Sequence, residues 1–105
     1  MPPRELTWDT DASGDFRVGR DEDALVHVHG RREALNLHLP YTTAHARSVT
    51  LVNDQDSSRT VQAHTANYGA DCLRVLPMLT LAPHARTVFA FHDGYWHARE
   101  DPGGP

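Results

Sequence analysis

Apolar and polar residues alternate through most of the chain in short runs, each closed by a cluster of turn-forming residues. A period of two is what half-buried strands require, and no apolar stripe of helical period runs far enough to compete with it. The pattern predicts strands at Glu5–Asp9, Asp15–Gly19, Ala24–His29, Glu33–Leu39, Arg47–Asn53, Arg59–Thr65, Cys72–Leu76, Met78–Leu81, Arg86–His92 and Tyr95–Arg99. Between them lie Asp11-Ala12-Ser13-Gly14, Asp21-Glu22-Asp23, the run Asp54 to Ser58, Asn67-Tyr68-Gly69-Ala70 and Asp93-Gly94, residues that favour turns through side-chain hydrogen bonds or positive φ. Turns recurring every 8 to 12 residues or so suit a sandwich or barrel. The expected fold class is all-β: a single antiparallel two-sheet β-sandwich over residues 1–100, with 101–105 as a disordered tail.

The sharpest local expectation is a hairpin. Val26 and Val28 share one face of the first run, Leu35 and Leu37 one face of the next. A turn centred on Arg31-Arg32 would pair Val28 with Leu35 and Val26 with Leu37, placing all four on one side. His27, His29, Asn36 and His38 would then gather on the other side beside Leu25.

Composition narrows the classes. A length of 105 residues, 39% hydrophobic and 23% charged, fits one core and one domain. No apolar run reaches the roughly 20 residues of a membrane span. The opening Met1-Pro2-Pro3-Arg4-Glu5 carries no apolar secretory stretch, so a cytoplasmic location is expected. The net charge of −4 comes without a basic block, which argues against nucleic acid as a partner. Cys72 is the sole cysteine and reads as a structural thiol; with no His between it and Met78, a copper site lacks its ligand set. Lys and Ile are missing altogether while Arg, Ala, Val and His abound, a bias of GC-rich codons that raises His without any functional cause.

Eight histidines nevertheless make metal binding a question. Strand residues two apart project to one side about 7 Å apart, so His27 and His29 could share an ion with a cross-strand partner such as His38. Asp9 to Phe16 opens like a calcium loop, but Arg20 stands where the bidentate Glu belongs, and an Asx-capped turn is the better reading. Trp8, Tyr95 and Trp96 are candidate ligand-binding platforms on edge strands, with packing at the ends of the sheets as the competing role.

Two resemblances add expectations. The stretch Ser48 to Asn53, then Arg59-Thr60-Val61, and Leu79-Thr80-Leu81-Ala82-Pro83 through Phe89 resembles immunoglobulin-like and fibronectin-like sandwiches, which occur as accessory domains on bacterial hydrolases. It implies a non-catalytic module with no cofactor that binds a protein or a carbohydrate, with a second copy of the chain as a further candidate partner. His27-Val28-His29 followed by Glu33, and later Gly94 to Asp101 around His97, is similar to the two metal motifs of cupins. That likeness implies His27, His29, Glu33 and His97 as ligands of a divalent transition metal in a small jelly-roll metalloprotein, an enzyme in some members. Departures are visible: Pro40 stands where the first motif should close on Gly, and His92 replaces the proline of the second.

Overall fold

The computed structural model describes residues 3–18, 23–40, 47–66, 73–92 and 95–101. Among the described residues ten strands follow one another: β1 (Arg4–Asp9), β2 (Asp15–Arg17), β3 (Ala24–His29), β4 (Ala34–Leu39), β5 (Arg47–Asn53), β6 (Arg59–Ala66), β7 (Leu73–Val75), β8 (Leu79–Leu81), β9 (Arg86–His92) and β10 (Tyr95–Asp101). Every strand expected from the alternation is present, with ends displaced by a residue or two. The described residues contain no helix, and hence none long and apolar enough to cross a membrane. Cys72, the turn at Asp93-Gly94, most of the Asp21–Asp23 turn, the Asn67–Ala70 turn and the tail beyond Asp101 lie outside the described residues.

The sheets are mixed, which corrects the expectation of antiparallel ones. The first runs in the order β1-β3-β5-β9-β10 and the second in the order β2-β4-β6-β7, with β8 also on β6. In the first, β1, β3 and β5 are parallel neighbours, and only β9 and β10 add in antiparallel fashion. In the second, β2, β4 and β6 are parallel, while β7 and β8 flank the two ends of β6 antiparallel to it.

Consecutive strands up to β6 therefore alternate between sheets. β1–β2, β3–β4 and β5–β6 are three arches, and each arch lies in parallel register on the one before. Trp8 sits beside Val28, twenty residues on, and Val28 beside Asn53, twenty-five on; in the second sheet Asp15 sits beside Asn36 and Asn36 beside Gln62. The expected hairpin of residues 24–39 is thus replaced by an arch: β3 and β4 do not pair with each other.

The burial prediction survives that change. Val26, Val28 and Leu37 are fully buried and Leu35 nearly so, in one cluster with Val49, Leu51, Val61, Leu81 and Phe89. Four residues, Gly30 to Glu33, carry the chain from one sheet to the other, and the inward sets of both strands belong to the same buried cluster. An alternating strand buries the same residues whether its successor lies beside it or opposite it.

The arch bends stack as closely as the strands do. The Thr10 N–H and hydroxyl both donate to the His29 carbonyl, at 3.1 and 2.6 Å, and the Arg31 N–H donates to Asp11 Oδ1 at 3.0 Å. Gly30 has φ of 89°, and a Cβ there would come within 2.4 Å of Thr10 Oγ1, so only glycine fits the bend. Asp9 caps its own bend, Oδ1 accepting from the Asp11 N–H at 3.1 Å, the Asx turn expected in place of a calcium loop. Beneath the bends Arg59 is 1% exposed. It donates to the carbonyls of Arg32 and Gly30 and to Thr10 Oγ1, so one side chain of the third arch binds the bends of the first two.

Candidate functional site

The outward residues belong to different sheets and so to different surfaces. This separates the expected imidazole group: His27 and His29 project from β3 in the first sheet, His38 from β4 in the second, so His38 is no cross-strand partner of the other two. Glu33 is exposed just before β4. His97 is exposed on β10, three strands from β3, about 14 Å at ~4.8 Å per strand. The structure does not bring His27, His29, Glu33 and His97 together. Among the described residues no three His, Cys, Asp or Glu side chains converge where one ion could be held.

On the first sheet, His27 and His29 find carboxylates instead. His27 Nδ1 lies 3.2 Å from Asp54 Oδ2 and its Nε2 3.4 Å from Glu5 Oε1, while His29 Nε2 is 3.6 Å from the same Asp54 oxygen. Carboxylates only accept, so both contacts of His27 are satisfied together only when both ring nitrogens carry protons. This is an open chain of groups on a strand surface, with Asp54 between the two rings.

Two of the proposed aromatic platforms are core residues. Trp8 is 2% exposed, stacks on Phe16 at 5.3 Å and donates its indole N–H to the Ser13 carbonyl. Trp96 is 4% exposed, meets Phe91 edge-on at 5.5 Å and donates to the Pro40 carbonyl. Both stand on the outer strands of the first sheet, as expected, but turn inward, because a large apolar ring with one donor is best placed where a carbonyl meets the core edge. The third, Tyr95, begins β10.

The second sheet carries the better site. Parallel register places Arg17, His38 and His64 in one row across β2, β4 and β6, and Asp15, Asn36 and Gln62 in the next. The His38 and His64 rings stack, centroids 4.9 Å apart and planes within 14°, at the interstrand spacing itself. Each imidazole is held by the polar residue one strand over and one row back: His38 Nε2 to Asp15 Oδ1 at 3.0 Å, His64 Nε2 to Asn36 Oδ1 at 3.0 Å. An ionised Asp15 can only accept, so the His38 proton sits on Nε2.

Beside this row opens a cleft of about 250 Å³ lined by Arg17, Val18, His38, Leu39, Pro40, His64 and Thr65. Val18, Leu39 and Thr65 are buried and form its base; the imidazoles and the exposed Arg17 form its polar side. The Arg17 side chain makes no hydrogen bond or ion pair with the described residues, in contrast to Arg59, whose guanidinium is engaged by two carbonyls and the Thr10 hydroxyl.

Compared with known proteins, the chain matches no family model, no curated protein and no solved structure. Its chemistry is therefore read from its own side chains. His38 was a visible candidate in the alternation, but Arg17 and His64 were not, since their meeting depends on which strands become neighbours. The signal available for His64 was its outward position in the run Arg59–Thr65, two residues after the outward Gln62.

Proposed function

We propose that the protein is a two-sheet sandwich that acts as a non-catalytic binding module, taking a carbohydrate or protein partner at the cleft beside His38 and His64. The observation that carries this reading is the joining of three properties at one place: a buried, mainly apolar base, two flat stacked rings, and a guanidinium without a partner among the described residues. Binding sites combine an apolar floor with a few fixed polar groups in this way. The rings are oriented before any ligand arrives, because Asp15 and Asn36 hold them, and preorganised groups lose little freedom on binding.

The test is to probe oligosaccharide and peptide arrays with the labelled wild type and with His64→Ala, which removes one wall of the cleft. The expected result is a retained class of ligand that weakens at least tenfold in His64→Ala while the folded spectrum is kept. Retention that is indifferent to His64, or no retention on either array, overturns the reading.

A further inference from the structure

The cleft's chemistry goes further than its shape, and the following rests on the reading of that cleft as a binding site. We infer that its ligand carries a carboxylate, which Arg17 takes as a bidentate partner while the ligand's body lies along the His38–His64 stack over the Val18 and Leu39 base.

Charge accounting around the row points to a single negative group. The Asp15 carboxylate is engaged by His38, and His64 is matched with the neutral Asn36. That leaves the Arg17 guanidinium as the charge at the cleft without a partner among the described residues. A planar guanidinium presents parallel N–H donors that fit the two oxygens of a carboxylate. A phosphate dianion would bring a second negative charge close to Asp15, one strand position from the site in the same outer face, with no second Arg or Lys among the described lining residues to offset it. The row geometry also fits: Arg17 pairs in register with His38, so the guanidinium stem starts one interstrand spacing from the first ring, about 4.8 Å. A ligand anchored on Arg17 therefore lies along the stack. The apolar base excludes water from one side of the contact, where a charged hydrogen bond gains strength. About 250 Å³ suits a ligand with a single ring or a short chain.

The experiment is a backbone and arginine side-chain amide NMR titration of the intact chain with three probes: glucuronate, glucose and inorganic phosphate. Glucuronate and glucose differ in the carboxylate, so their comparison isolates that group. The expected result is saturable shifts centred on Arg17, His38, His64 and Thr65 with glucuronate, at least tenfold weaker response to glucose and to phosphate, and a tenfold or greater loss for glucuronate in Arg17→Gln. Arg17 is exposed on a three-residue strand, so this variant keeps the fold, and an unchanged melting temperature verifies it. Phosphate binding as well as glucuronate overturns the carboxylate assignment in favour of oxyanions generally. Equal response to glucose and glucuronate, insensitive to Arg17→Gln, overturns the charged anchor while leaving the cleft a binding site. No shift with any probe overturns the inference, and the arrays above then decide the broader reading separately.

Discussion

At the scale of single residues, the buried polar groups decide more than the exposed ones. Asn53 is fully buried, donating from Nδ2 to the carbonyls of Ser57, Leu81 and Ala82 and accepting the Gln55 N–H on Oδ1; it closes the third arch bend as Asp9 closes the first. Arg59 binds carbonyls of the second bend and the hydroxyl of the first, with its Nε left without a partner. A buried charge that serves carbonyls is costly to hold and more costly to remove, since each orphaned buried acceptor costs about 1–3 kcal/mol. Arg59→Met is expected to lower stability by about 2–4 kcal/mol, read as a lower urea midpoint at unchanged slope. The ion pairs of His27 with Glu5 and Asp54 are largely solvated, and pairs of that kind contribute under about 1 kcal/mol.

At the scale of elements, the arch is the unit, and its bend sets its tolerance. Gly30 occupies positive φ with the backbone of the first bend against it, Asp11 N being 2.9 Å from where a Cβ would stand. Gly30→Ala adds a strained φ to a clash with backbone that cannot move without disturbing the Thr10–His29 bonds. The expected loss is roughly 2–3 kcal/mol, measured as a fall in melting temperature. The same change at Gly14 meets the Arg32 side chain, held by its Nε–H on the Thr10 carbonyl, without a positive φ, and should cost less, so the pair of variants separates strain from crowding. Repetition of the arch also explains the cleft: stacking in register turns outward positions of equivalent strands into rows, and a row of His38 and His64 becomes a stack of rings because both occupy the same place in successive arches.

At the scale of the whole molecule, the topology delays most pairings. The neighbours of β3 are β1 and β5, twenty or more residues away along the chain, and β5 meets β9 across a longer interval still. Among the described strands only β6 with β7 and β9 with β10 are consecutive partners. Loop closure precedes each gain in contact, so refolding is expected in the milliseconds-to-seconds range of proteins dominated by non-local pairs; stopped-flow fluorescence of the buried Trp8 and Trp96 reads it, and a microsecond phase carrying the full amplitude would contradict the topology. The open edges at β1 and β2 belong to the same first arch and carry Arg4, Glu5, Asp9, Asp15 and Arg17, charges that discourage strand addition there.

What the sequence determined by itself was the set of strands and which side of each faces inward. Val26, Val28, Leu35, Leu37, Val49 and Leu51 all lie where alternation places them, because a period of two is a property of the chain's own geometry. What only tertiary structure decided was the identity of each strand's neighbours. A four-residue bend after His29 is compatible with turning back beside β3 or crossing to the other sheet, and both choices bury the same aliphatics. Yet the outward residues are shared in the first case and divided in the second. The grouping of His27, His29 and His38 failed on that choice, and the row of Arg17, His38 and His64 was created by it, since side chains from three distant segments meet only when parallel register has brought their strands together.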